Sequence, residues 1–323
     1  MLGDDSRPAE DLFADRLEAA VAYRRLVAAD ANAYRLVNAE ADRLPSLIVD
    51  RYGDVLVVQA LSQGMDRHLP IVLDWLERRL RPTGILLRHD AKVRQLEGLP
   101  LDVREVFGTV PDRIDVHEGT VRYTVDVRHG QKTGLFLDQR ENHLVAGAYA
   151  SGRALDAFSY HGGFALQMAT RAESVLALDG SEPAVDALKQ NAKANGLTNV
   201  EARVANVFDE LRELEIARER FDTIVLDPPA FAKTKASLPK AVGGYKEINL
   251  RALKLLRPGG VLISCTCSYH VSEPLFLDVI EHAAADAQVP VVLVEKRLQA
   301  RDHPVLLGVP ETAYLKCLVL RRL

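Results

Sequence analysis

Phe221-Asp222-Thr223-Ile224-Val225-Leu226-Asp227-Pro228-Pro229-Ala230-Phe231 is a short β-branched run stopped by two prolines. Apolar residues at consecutive positions suit a strand buried on both faces of a parallel sheet. Pro228 and Pro229 offer no N–H to a ladder, so the strand must end at Asp227. That puts a carboxylate at the carboxyl end of an interior strand, where open α/β sheets bind their ligands. A second run, Gly260-Val261-Leu262-Ile263-Ser264-Cys265-Thr266-Cys267-Ser268, ends in a thiol. If the two runs are neighbouring strands, Asp227 and Cys267 arrive at one rim.

Outward from these runs the pattern alternates strictly. Strands are predicted at 154–158, 174–179, 200–204, 223–227, 261–267, 291–295 and 314–320. Helices are predicted at 163–170, 182–194, 207–216, 245–256 and 273–285. Repeated β-α units of this length imply an α/β fold, a doubly wound, Rossmann-like parallel sheet with right-handed crossovers. The last two strands have no helix between them and are expected to form an antiparallel hairpin. Upstream, 9–29 reads as an amphipathic helix and 66–80 as a second one. Strands at 34–38, 47–50, 55–61, 84–88 and 101–107 accompany them. This predicts a small α+β domain over 1–110 and a catalytic domain over 111–323, opening with a hairpin of 113–117 and 121–127.

Composition narrows the class. The chain has 323 residues, of which 48% are apolar and 27% charged, without a run approaching a membrane span. The acidic start lacks the basic and then apolar layout of a secretory signal. Three cysteines do not make a disulfide framework, and no metal-ligand spacing stands out. These features indicate a cytoplasmic protein with no membrane partner and no metal; a homodimer stays open. A net charge of −4 argues against a broad non-specific nucleic-acid surface and leaves room for a local basic groove. Lys233, Lys235, Lys240 and Lys246 follow Phe231, and Arg88, Lys92 and Arg94 cluster earlier.

The first catalytic-domain strand runs into Asp156-Ala157-Phe158-Ser159-Tyr160-His161-Gly162-Gly163. Glycines between strand and helix let a ligand approach the backbone, although the G-x-G-x-x-G spacing is absent. Asp179 ends the next strand, where a carboxylate can accept from a ribose diol or cap the following turn. Asp156, the glycines and Asp179 together favour a nucleoside site. Asp138 with Glu141 has the form of a capping box, which leaves Lys132, Gln139 and Arg140 unexplained. Cys265 and Cys267 share a strand face by period two, and only Cys267 adjoins the polar Ser268-Tyr269-His270 exit. Cys267 is therefore the candidate nucleophile, with Cys265 and Cys317 as small core residues.

Asp227-Pro228-Pro229 with Thr266-Cys267-Ser268, behind the 156–164 loop and Asp179, resembles the S-adenosylmethionine-dependent RNA cytosine-C5 methyltransferases. The segments 130–142 and 244–249 and the His303-Pro304 loop are similar to those of the bacterial 23S ribosomal RNA large-subunit methyltransferase I family, from about Leu12 onward. The resemblance implies S-adenosyl-L-methionine as cofactor, ribosomal RNA as partner and 5-methylcytosine as product. It implies Cys267 and Asp227 as catalytic pair. Around the cofactor it implies Asp156, Phe158, Ser159, Gly162, Gly163, Asp179, Lys132, Gln139, Arg140 and Asp227. Asn206 stands where related enzymes often place an aspartate near the adenine. Pro228, Pro229 and Phe231 would wall the base, with Lys233, Lys235 and Lys240 on phosphates. The family commonly carries an N-terminal RNA-binding PUA domain, and this sequence begins after where it would end. Ala230 replaces the cysteine that many RNA cytosine-C5 enzymes carry after Asp-Pro-Pro. An amino-directed methyltransferase and a non-catalytic RNA-binding module are the competing readings.

Overall fold

The computed structural model describes residues 7–232 and 234–323, so Lys233 lies outside the described residues. The chain divides into two compact units: one runs to Asp138 and adds Ala300–Thr312, the other holds Gln139–Gln299 and Ala313–Leu323. The boundary expected near 110 therefore falls later. Buried polar contacts explain the shift. The Thr133 hydroxyl donates to Asp50 at 2.6 Å and lies 2.9 Å from the Tyr52 hydroxyl, and the His117 N–H donates to Asn32. These bonds fasten the segment after residue 110 to the strands that precede it.

In the first unit, helix α1 (Ala9–Val27) buries Leu12, Phe13, Leu17, Ala20 and Val21, a stripe at helical spacing. Strands β1 (Ala33–Asn38), β2 (Leu47–Tyr52), β3 (Val55–Ala60), β4 (Gly84–Arg88) and β5 (Val103–Gly108) form one sheet in sequence order. Only β3 and β4 run parallel, because helix α2 (Gln63–Leu80) supplies the crossover between them. The Ser62 side chain caps α2, and Arg81 ends it in a left-handed conformation just before Pro82. A short helix α3 (Val93–Leu96) precedes β5, and β6 (Ile114–Glu118) pairs antiparallel with β7 (Val121–Val125). The returning segment is stitched in by Asp302. Its carboxylate accepts the Arg35 N–H at 2.8 Å, and its carbonyl accepts Arg24 at 2.9 Å.

The second unit opens with α4 (Arg140–Tyr149) and then alternates: β8 (Arg153–Ala157), α5 (Gly163–Ala169), β9 (Ser174–Asp179), α6 (Glu182–Ala194), β10 (Val200–Val204) and α7 (Val207–Ile216). It continues through β11 (Phe221–Leu226), α8 (Leu238–Leu255), β12 (Leu256–Thr266), α9 (Glu273–Ala287), β13 (Val291–Arg297) and β14 (Lys316–Arg322). The sheet order is β10-β9-β8-β11-β12-β14-β13, the expected Rossmann-like fold. The strand order reverses between β8 and β11, which places a crevice at their carboxyl ends. The final hairpin forms as predicted, but β14 lies inside it, antiparallel to both β12 and β13.

Several elements differ from expectation, the start of α8 and the unpredicted helix α4 among them. Helix α8 begins at Leu238 and runs through Gly243-Gly244, which read as loop. A Cβ on Gly244 would sit 3.2 Å from the Phe231 ring, so glycine lets that ring approach the helix. The capping box of Asp138 and Glu141 does not form: α4 has Gln139 at its N-cap with no side-chain cap, while Asp138 takes the Lys132 ammonium at 2.6 Å.

Candidate active site

β11 pairs in parallel with β12, with Leu226 level with Ser264. Asp227 is thus the first residue beyond β11, at the height of Cys265, and Cys267 stands two residues further out on the next strand. The three cysteines separate as their places along the strands imply: Cys265 and Cys317 are buried, and Cys267, at the polar exit, is half-exposed. Cys265 faces Cys317 directly across the ladder. Burial, followed by the Cys317 thiol and the Asp227 charge, pushes the Cys265 thiol well up. It is held protonated, and a protonated thiol is a poor nucleophile.

A buried hydroxyl knot ties together the two loops that carry Asp227 and Cys267. The Tyr245 hydroxyl on α8 accepts from Thr266 at 2.8 Å and lies 2.9 Å from the Ser268 hydroxyl. Ser268 Oγ in turn accepts the Ala232 N–H at 3.1 Å, and the Ser268 N–H donates to Thr266 Oγ1 at 3.1 Å. Phe231 packs on the Tyr245 ring with centroids 4.6 Å apart. Tyr245, on the 244–249 segment, received no role from the sequence; only the packing of α8 against the ends of β11 and β12 reveals one.

A polar chain orients Asp227 from the other side. Gln139 donates to Asp227 Oδ1 at 2.9 Å and accepts from Asn142 at 2.7 Å. Arg297 donates to Asn142 at 2.9 Å and to Glu295 at 3.1 Å, and Tyr149 donates to Glu295 at 2.6 Å. Gln139 therefore meets the Asp227 carboxylate directly. Arg140, buried in the first turn of α4, is bonded to Glu141, and Lys132, in the first unit, to Asp138.

The loop after β8 is strained: Phe158 and Tyr160 both take positive φ, 69° and 46°. Such conformations in non-glycine residues concentrate at ligand-binding turns. Asp179 holds this loop by accepting the Tyr160 N–H at 2.9 Å, while its other oxygen accepts the Ser181 N–H at 2.8 Å. Asp156 is fully buried at the switch point and accepts the Ala165 N–H at 2.8 Å. Burial, with Asp227 as the next cause, raises its carboxyl to about 8. Asp156 Oδ1 and Ser159 Oγ have no hydrogen-bond partner among the described residues. Two orphaned buried oxygens, one near the end of β8 and one on the loop after it, suit a polar ligand. Gly162 and Gly163 also answer to packing, since added Cβ atoms would strike Leu188 and the His143 ring. Asn206 caps α7, accepting the Phe208 N–H at 3.0 Å. Pro228 is buried, Pro229 exposed, and Lys235 and Lys240 are exposed at the start of α8.

Residues 86–321 match the S-adenosylmethionine-dependent methyltransferase family. The strand order, the loop after β8 and this match define a methyltransferase that uses S-adenosyl-L-methionine as its cofactor. Over 319 residues the chain is 41% identical to the ribosomal RNA large subunit methyltransferase I of Tolumonas auensis, covering 96% of this chain and 80% of the relative. The protein of the same name from Aeromonas hydrophila is 42% identical over 294 residues, covering 89% and 74%. The chain belongs to the ribosomal RNA large subunit methyltransferase I family. In fold it is similar to SMU.776 complexed with SAH, with a TM-score of 0.85 at 21% identity, over 98% of this chain and 83% of that one. A Streptococcus mutans structure gives 0.84 at 20% identity over the same shares. Among the described residues no helix is long and apolar enough to cross a membrane.

Proposed function

We propose that this chain methylates C5 of a cytosine in the RNA of the large ribosomal subunit, 23S ribosomal RNA, through a transient covalent bond between Cys267 and the base. The substrate class follows the names of its relatives. The reading rests chiefly on one observation: parallel β11 and β12 end side by side, and Ser268 bonds the Asp227 loop to the Cys267 loop. C5 of cytosine is a weak nucleophile until something adds at C6. The Cys267 thiolate adds there, and Asp227 in its acid form donates toward the N3 edge as charge develops, with Gln139 fixing its other oxygen. The bound cofactor supplies an electrophilic sulfonium methyl. Ser159, Asp156, Asp179, Asn206, Phe158, Gly162 and Gly163 form its cradle. The target base must leave its stack to present face and edge at once. Pro229 and Phe231 wall it, and Lys235 and Lys240 meet phosphates.

A ribosomal RNA carrying 5-fluorocytosine at the target cannot lose a proton from C5 and should trap the methylated adduct on Cys267. Cys267→Ala should abolish both trapping and turnover, and digestion of ordinary product should yield 5-methylcytosine. An N-methylated nucleoside would sink the C5 assignment, and a Cys267→Ala protein that still cross-links would sink the choice of nucleophile.

A further inference from the structure

Lys316 opens β14, level with Thr266 on β12, and is buried, with only 8% of its surface exposed. Its ammonium donates to the main-chain carbonyls of Ser268 at 3.4 Å and Tyr314 at 3.2 Å. The first of these acceptors adjoins Cys267 in the chain. Lys316 forms no ion pair with a carboxylate among the described residues. Glu273, the carboxylate whose field reaches it, is already paired with Lys296 at 2.6 Å. A buried ammonium without a counter-charge is costly, and two carbonyl dipoles compensate only in part. Among the described residues, the thiol of Cys267, next to the Ser268 carbonyl that Lys316 holds, can supply the missing negative charge in its ionised form. The electrostatics agree: burial pulls the Lys316 ammonium down, while Cys267 first and Glu273 second push it back up.

We propose that Lys316 is a positioning residue for methyl transfer, its ammonium being the counter-charge that keeps Cys267 as a thiolate ready to add to the base. The proposal rests on Cys267 being the nucleophile. In the addition the thiolate electron pair becomes the S–C6 bond, the C5–C6 π pair shifts to C5–C4, and the C4–N3 pair moves onto N3, toward which Asp227 donates. No proton leaves Cys267 in this step, because the thiol proton has already gone to solvent. Among the described residues, other titratable groups around the pair are Tyr245 on α8, whose hydroxyl feels the Cys267 charge, the Glu273–Lys296 pair between α9 and β13, and Asp227 beyond the end of β11. Tyr245 is bonded to Thr266 and Ser268, and burial raises it away from the neutral range.

The test is the pH dependence of Cys267 alkylation by iodoacetamide on the full chain, read by peptide mass spectrometry and needing no RNA. The native protein should alkylate with a midpoint below the ordinary thiol value of about 8.5. Lys316→Met should raise that midpoint by about one unit, slowing alkylation about tenfold at neutral pH. Lys316→Arg, which keeps the charge, should restore most of the rate. Thermal melts and calorimetric S-adenosylmethionine binding establish that each variant is folded; if Lys316→Met is not, Lys316→Gln replaces it. A midpoint unchanged between native and neutral variant overturns the proposal. A midpoint that moves, in a protein that never cross-links to 5-fluorocytosine RNA, keeps the ion pair and discards the covalent reading instead.

Discussion

Tyr245→Phe isolates the hydroxyl knot, because it deletes one oxygen and keeps the ring against Phe231 and Phe276, whose centroids lie 4.6 and 5.6 Å away. The variant leaves the Thr266 hydroxyl without the acceptor it has at 2.8 Å and removes the 2.9 Å bond to Ser268. A buried donor stranded in this way costs about 1–3 kcal/mol. Little cavity cost is added, since only the oxygen is lost. A destabilisation of about 2 kcal/mol corresponds to a melting point lower by roughly 3 °C in a chain of this size, at about 2.1 cal/mol/K of unfolding entropy per residue. The knot also holds Ala232 to Ser268, so turnover should fall more than cofactor affinity. Differential scanning calorimetry, with titration of S-adenosylmethionine and initial rates on ribosomal RNA, reads all three quantities. A variant melting within about 1 °C of the native protein, with equal turnover, would refute the idea that the knot sets the spacing of the two loops.

Asp156 makes stability depend on pH. The unfolded chain loses this proton near the ordinary carboxylate value of about 4, whereas the folded chain keeps it to about 8. Unfolding between those limits releases a proton, so stability should fall as pH rises through the window, by on the order of 1 kcal/mol per unit. Asp156→Asn should flatten that slope in urea midpoints taken at pH 5 and 7; equal slopes would refute it. Asp179→Ala removes the acceptor for the Tyr160 and Ser181 N–H groups. It should weaken S-adenosylmethionine binding by calorimetry, and unchanged affinity would end the ribose assignment. Gly163→Ala drives a methyl into the His143 ring and should cost about 1–3 kcal/mol in a denaturation curve.

The sheet was legible because its strands alternate regularly with helices, of which α6 and α7 carry side-chain caps. The predicted bounds of β9, β10, α6 and α7 match the structure, and Ser181 and Asn206 cap the two helices. The start of α8 was hidden by Gly243-Gly244, of which only Gly244 would bring a Cβ against a neighbour, chiefly the Phe231 ring. For α4 the sequence offered only the capping-box form of Asp138 and Glu141, and the structure starts the helix without it, Asp138 being paired with Lys132. Within the site, Asp227 and Cys267 stood out as polar ends of apolar runs. Tyr245 and Lys316 did not, since each matters only through what a non-local strand or helix brings beside it. Nothing near Lys316 in sequence announces that β14 will lie against β12.

The excursion of residues 300–312 has a genetic consequence. Neither unit is a contiguous stretch of gene. A fragment cut after Asp138 would lack Asp302, leaving the Arg35 N–H and the Arg24 guanidinium without partners they hold in the intact protein. Grafting the first unit of a relative must therefore move two segments at once. Recombination between homologous genes with one crossover near residue 138 would keep the second unit whole and give the first a foreign 300–312 segment. The two halves are thus constrained to be inherited together, although each has its own sheet.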